Sequence, residues 1–200
     1  MFKNILVLSP HTDDGELGCG GTLDKFKKKG SNIHFIAFSW CDNKQLINEV
    51  KNSTQALGIE RIDILDFKRR FFFLKRQEIL DYLYKLSNSE AIDLVLTPST
   101  RDLHQDHQVI CNESIRAFRN SSIWGYELPW NNIIFQTNCF VELSRENIEQ
   151  KIKALMCYKT QEHRNYFQED FQWSIAQTRG TQIHVKYAEA FELIKLVIND

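Results

Sequence analysis

The chain has 200 residues, of which 42% are hydrophobic and 26% charged, the balance of a globular protein with one sizeable core and not of a disordered tail. Its formal net charge of -1 gives no general attraction to nucleic acid or to anionic lipid, which needs a clustered excess of Lys and Arg. The five cysteines, Cys19, Cys41, Cys111, Cys139 and Cys157, are odd in number and form no C-x-x-C pair, which argues against a disulfide framework and a thiolate metal site.

A single domain over residues 1–200 is expected. The opening apolar run, Ile5 to Leu8, is too short for a signal peptide, and no run of 18 or more apolar residues occurs. The chain is therefore expected in the reducing cytoplasm, without a transmembrane segment.

Ile5 to Leu8, bounded by Pro10, has the pattern of a buried parallel strand. A polar loop and a helix from about Leu17 to Lys29 follow, closed by Gly30. Ile33 to Ser39 reads as the second strand, Gln45 to Leu57 as a helix stopped by Gly58, and Ile62 to Phe67 as the third strand. Arg76 to Leu86 is a helix with apolar residues at Ile79, Leu80, Leu83 and Leu86, and Leu94 to Thr97 is a fourth strand ended by Pro98. Asp106 to Arg119 is then a helix, Ile123 to Tyr126 and Phe140 to Leu143 are strands, and Glu146 to Cys157 and Phe167 to Arg179 are helices. The last segment, Tyr187 to Ile198, lacks a clean period; its start is expected as a strand and its end as a helix.

Strands alternating with helices imply right-handed crossovers and a doubly wound α/β fold, a mostly parallel sheet with helices on both faces. Ligands of such sheets lie beyond the carboxyl ends of the strands, which points to the loops after Leu8, Ser39 and Thr97.

Two of those loops are dense in His and Asp: His11-Thr12-Asp13-Asp14, and Asp102-Leu103-His104-Gln105-Asp106-His107. Either alone is explained by helix capping, through Asp13 or Asp14 in the first and Asp106 in the second. Capping needs one side chain per helix, however, and the two loops on one sheet edge supply three His and four Asp. Imidazole and carboxylate are the ligands of a catalytic zinc, which takes three protein groups and leaves a position open for water. His11, Asp14 and His107 can provide that set, with Asp13 facing the water and His104 on the other side. Water whose pKa a metal lowers to near 7 attacks carbonyl derivatives at neutral pH.

His11-Thr12-Asp13-Asp14, Gly18-Cys19-Gly20-Gly21-Thr22 and His104-Gln105-Asp106-His107 resemble the motifs of the PIG-L (LmbE-like) family of zinc-dependent sugar N-deacetylases. The likeness extends to Ala56-Leu57-Gly58, Tyr158-Lys159-Thr160-Gln161 and Ala188-Glu189-Ala190-Phe191. The resemblance implies one Zn2+ on His11, Asp14 and His107, Asp13 as general base, His104 as oxyanion stabiliser and Asp106 as the residue that orients His104. The division of labour between Asp13 and Asp14 comes from the family alone. It implies a small N-acetylated amino sugar as substrate, free or nucleotide- or lipid-linked, and no nucleic-acid partner; a homo-oligomer is compatible with the sequence.

The chain departs from the family pattern at three places. Thr12 stands for the usual Pro, Gly15 for Glu with Glu16 one place later, and Leu46 for an Arg that precedes Glu49 by three residues and grips substrate in several members. Trp40, Glu127 and Trp130 lie in loops expected to border the site and are candidate sugar contacts. Lys68-Arg69-Arg70 before Phe71-Phe72-Phe73 reads either as a surface loop with an apolar anchor or as an anion site. Gly18-Cys19-Gly20-Gly21 lacks the third glycine of a dinucleotide fingerprint and reads as close helix packing. His34, His163 and His184 lie outside both motifs and are taken as structural. The rival readings are a metal-dependent hydrolase of another bond, such as a phosphoester, which usually needs more ligands, and an idle carbohydrate binder, which would need neither Asp13 nor His104.

Overall fold

Ile5 and Val7 point into one hydrophobic core and Leu6 and Leu8 into another. A strand apolar at both parities must lie inside a sheet covered on both faces, and the computed structural model, which describes residues 2–198, has that architecture. In chain order the elements are β1 (Asn4–His11), α1 (Asp14–Lys28), β2 (Asn32–Ser39), α2 (Lys44–Ala56), β3 (Arg61–Ile64), α3 (Arg76–Ser89), β4 (Leu94–Pro98), α4 (Gln105–Ala117), β5 (Ser122–Tyr126), β6 (Cys139–Glu142), α5 (Arg145–Leu155), α6 (Glu169–Thr181) and β7 (Ala188–Lys195), with 3-10 turns at Phe72–Lys75 and Asn165–Phe167.

The sheet order is β3-β2-β1-β4-β5-β7-β6. The first five strands are parallel, whereas β7 runs antiparallel to β5 and to β6. Leu17, Leu23, Leu46, Val50, Ile148 and Ile152 bring α1, α2 and α5 onto one face. Ile79, Leu83, Val109 and Ile110 bring α3 and α4 onto the other. The winding direction reverses between β1 and β4, so the crevice of the sheet opens beyond their carboxyl ends, where His11 terminates β1.

Two expectations need correction. No polar loop precedes α1: only Thr12 and Asp13 separate β1 from the helix, which begins at Asp14. The capping alternative fails for the Asp side chains, because Asp13 at the N-cap position makes no capping bond and α4 is capped by His104 of the second motif, whose ring accepts Asp106 N–H. The final segment is strand through Lys195, with no helix in 196–198. Phe191 packs into the first core and Ile194 against the second, so an interior strand covered on both faces blurs the alternation that would have revealed it.

α1 breaks at Cys19, whose backbone (φ -146°, ψ 18°) is non-helical. Gly18 lies at this break because a Cβ there would come within 2.3 Å of the Tyr126 ring. The backbone groups near the break find partners from distant segments: Leu17 C=O accepts from Lys151 Nζ at 2.7 Å, and Gly21 and Thr22 N–H donate to the Glu189 carboxylate at 3.1 and 2.7 Å. Lys151 and Glu189 are themselves paired at 2.8 Å and buried, so each charge is compensated. This explains physically why Gly18 to Thr22 and Ala188 to Phe191 occur together. Glu189→Ala strands the Lys151 ammonium in the core and should destabilise the protein by about 3–5 kcal/mol in urea unfolding; a loss below about 1 kcal/mol would mean that the pair is screened like a surface one.

Candidate active site

The turn from β1 into α1 is tightly bonded. Ser9 Oγ donates to His11 C=O and accepts Gly15 N–H at 2.9 Å, and Asp14 Oδ2 accepts His11 N–H at 2.8 Å. The loop after β4 brings the second motif against it. His11 Nδ1, His107 Nε2 and Asp14 Oδ2 then form a near-equilateral triangle with sides of 3.1, 3.2 and 3.2 Å.

Two carboxylates fix the rings in this arrangement. Asp102 Oδ2 lies 2.8 Å from His107 Nδ1 and Asp106 Oδ2 lies 3.2 Å from His11 Nε2. A carboxylate accepts hydrogen bonds, so each imidazole donates from that nitrogen and turns its other nitrogen, with its lone pair, toward the triangle. Three donor atoms at about 2.0–2.1 Å from a tetrahedral zinc would stand about 3.3 Å apart, close to the observed spacing. The donor set therefore fits a divalent metal held by His11, Asp14 and His107.

The electrostatics agree. Burial opposes charge on Asp14, but His107 and His11 hold its carboxyl well below the usual range. Burial also lowers the basicity of His107, yet Asp14 and Asp102 outweigh it and raise the pKa to about 10. A field that attracts a proton to that lone pair attracts a metal cation to the same place, and the two compete. Asp13 is raised to about 6 by burial and by Asp14 beside it, a range suited to accepting and returning a proton near neutrality.

His104 is within reach of the same cluster: ligand atoms of His11, His104 and His107 lie within 4.8 Å of one another. Its Nδ1, however, accepts Asp106 N–H at 3.2 Å, so the neutral ring carries its hydrogen on Nε2 and is a donor, not a ligand. Burial and the neighbouring His107 and His11 lower its pKa to about 4, which keeps the ring neutral at pH 7.

Asp106 is placed differently from what the resemblance implies. Its backbone orients His104, while its carboxylate binds His11 and accepts Arg70 N–H at 2.6 Å and Phe72 N–H at 3.4 Å. Arg70 has a left-handed backbone (φ 69°), a conformation that costs a non-glycine residue about 1–3 kcal/mol and is held here by Asp106. Glu16, one place later than the family position, reaches Tyr158 instead of the triangle. Burial raises its pKa to about 8, and the Tyr158 hydroxyl lies 2.8 Å from Glu16 Oε1 and 2.6 Å from Thr12 C=O, bridging the two. Glu49 accepts Thr160 N–H at 3.0 Å and the Thr160 hydroxyl at 2.6 Å, fastening the segment after α5 to α2.

The triangle forms the floor of a cleft of about 220 Å³ that Leu46, Arg69, Trp130, Arg164 and Tyr166 also line. Of the three candidate sugar contacts only Trp130 borders it, stacked on Tyr166 at 3.8 Å. Trp40 does not line the cleft, and buried Glu127 is engaged by Arg179 on α6. Asp102, Arg164 and Tyr166 were not assigned roles from the sequence; Asp102 lay in plain view in the second motif, whereas no local signal marks the other two.

Residues 6–118 match the PIG-L family model, described as GlcNAc-PI de-N-acetylase. The chain belongs to the PIG-L family. The uncharacterized deacetylase YaiS of Escherichia coli (strain K12) is 28% identical over 169 residues, covering 79% of this chain and 91% of that protein. The diacetylchitobiose deacetylase of Thermococcus kodakarensis is 22% identical over 224 residues, covering 96% of this chain and 83% of the other. The crystal structure of the conserved protein TT1542 from Thermus thermophilus superposes with a TM-score of 0.80 at 23% identity over 100% of this chain and 98% of that one, a likeness of fold. No helix among the described residues of this PIG-L chain is long and apolar enough to cross a membrane. If Asp102 sets the tautomer of a ligand, Asp102→Ala should weaken zinc binding about 10–100-fold in competition with a chromophoric chelator; unchanged affinity would remove His107 or its partner from the metal site.

Proposed function

We propose that this PIG-L chain is a zinc-dependent N-deacetylase that hydrolyses the amide of a small N-acetylated amino sugar, free or carried on a nucleotide or lipid, and works as one domain over residues 1–200 in the cytoplasm. The observation that carries this reading is the convergence of two imidazole lone pairs and one carboxylate oxygen on a single point, beside an Asp and a neutral His that take no part in holding it. The names of the relatives, one of them a deacetylase of diacetylchitobiose, support the choice of an acetylated sugar. Among the described residues the one cluster of three or more potential ligand side chains, His11, His104 and His107, lies at this same site, which favours single-metal amide hydrolysis over a two-metal phosphoesterase.

When bound, zinc would supply a lowered water pKa and polarisation of the amide oxygen. Asp13 takes the proton from the attacking water. Its partly exposed neighbour His104 donates Nε2–H to the oxygen that gains charge as the carbonyl becomes tetrahedral, a role a neutral imidazole can fill. Protonated Asp13 then gives its proton to the departing nitrogen, so acetate and a free amino sugar leave. Asp102 and Asp106 hold the rings of His107 and His11 throughout.

The adjacent carboxylates separate under one substitution. Asp13→Asn should keep zinc but lose about 10²–10⁴ in kcat, because an amide cannot serve as the base. Asp14→Asn should lose zinc and recover part of its activity when zinc is added in excess. His104→Ala should lower kcat by about 10²–10³ with zinc content unchanged. Zinc loss in Asp13→Asn with retention in Asp14→Asn would reverse the two roles, and full activity in both would end this mechanism.

A further inference from the structure

Asp13 lines the cleft with nothing holding its side chain. Among the described residues no other residue hydrogen-bonds its carboxyl, which stands at the N-cap of α1 without making a capping bond. A free carboxylate suits a base, since it takes a proton without first surrendering a partner. It also leaves the direction of the carboxyl to the backbone. On one side, Asp13 C=O accepts Leu17 N–H of α1 at 3.0 Å. On the other, the Thr12–Asp13 peptide presents the Thr12 carbonyl, and that oxygen accepts the Tyr158 hydroxyl at 2.6 Å.

Tyr158 is met by residues from two helices. Glu16 Oε1 on α1 lies 2.8 Å from its hydroxyl, and Ser53 on α2 borders both groups. All three residues are buried, yet Glu16 Oε2 and Ser53 Oγ have no hydrogen-bond partner among the described residues. A buried carboxyl with an unpartnered oxygen costs stability, so packing does not account for it. Its position is also particular to this chain. Gly15 stands where the family pattern has Glu, and a Cβ at residue 15 would come within 2.6 Å of the Phe35 ring. No acidic side chain fits there, and Glu16 carries the acid one place on, where it meets Tyr158 instead of β2.

We infer that Glu16 and Tyr158, with Ser53 beside them, are positioning residues for the general base: they clamp the Thr12–Asp13 peptide and so aim the Asp13 carboxyl at the attacking water. The role of Asp13 as base rests on the deacetylase reading; the clamp on its peptide does not. The clamp acts on rate and not on metal binding, because His11 and Asp14 are tied separately, by Ser9, by Asp106 and to each other.

Hydrogen exchange and kinetics together test it. In metal-free protein, exchange at the Asp13 amide should quicken about tenfold in Tyr158→Phe, with exchange in α3 unchanged. In zinc-loaded protein, Tyr158→Phe should lower kcat about tenfold or more, with KM and zinc affinity unchanged. In the Asp13→Asn background, where no base is left to aim, the same change should alter the residual rate by less than about twofold. Glu16→Met, of similar length and without a charge, should keep or raise the Tm while losing kcat, and Glu16→Gln, which keeps an oxygen beside the hydroxyl, should lose less. A purely structural role gives the opposite pattern, a lowered Tm in Glu16→Met and the same fold loss from Tyr158→Phe with or without Asp13. That pattern, wild-type kcat in both Tyr158→Phe and Glu16→Met, or zinc loss in Tyr158→Phe would overturn the inference, and unchanged exchange at Asp13 would remove the clamp itself. No acetate release from the wild type, with exchange quickened in Tyr158→Phe, would remove the deacetylase reading and leave the clamp.

Discussion

The site depends on two carboxylate–imidazole bonds, Asp102 to His107 and Asp106 to His11. An imidazole offers one lone pair when neutral, and which nitrogen carries it is set by what the other nitrogen meets. Because both carboxylates lie on the far side of the rings, both lone pairs face Asp14. Remove either carboxylate and the ring is free to choose the other tautomer or to rotate, and a triangle with sides of 3.1–3.2 Å becomes a loose cluster.

The fold supplies the conditions for those bonds. The reversal of winding between β1 and β4 leaves a crevice where the ends of both strands deliver polar residues without disturbing either core. The two-residue turn into α1 puts Asp14 at the first helical position, where the helix dipole also favours its charge. The break in α1 five residues later is offset by Lys151 and Glu189, a buried ion pair. Glu16, Tyr158 and Thr12 form a chain of hydrogen bonds that fixes the backbone between His11 and Asp13.

The parallel half of the sheet was legible because its strands are short apolar runs separated by helical segments that end at Gly30 and Gly58, and the two His/Asp motifs lie at or just after the ends of β1 and β4, each marked by a Pro. The C-terminal strand was obscured by its own burial on both faces. The task of Asp106 was not legible, since its carboxylate partners are His11 and a loop 36 residues away. Arg164 and Tyr166 reach the cleft on the segment after α5, which is fastened to α2 by Glu49 and Thr160, 111 residues apart in sequence. Glu127 failed as a sugar contact for a similar reason: position at a strand end suggested it, but Arg179, 52 residues on, claims its carboxylate.

The claim that one metal, held by His11, Asp14 and His107, enables amide hydrolysis is tested most directly by titrating metal-free protein with zinc while following acetate release from N-acetylated sugars. Activity should rise linearly and break at about one zinc per chain, then vanish with a chelator. Acetate release that ignores zinc and chelator alike, or none at any ratio on any acetylated sugar, would contradict the account.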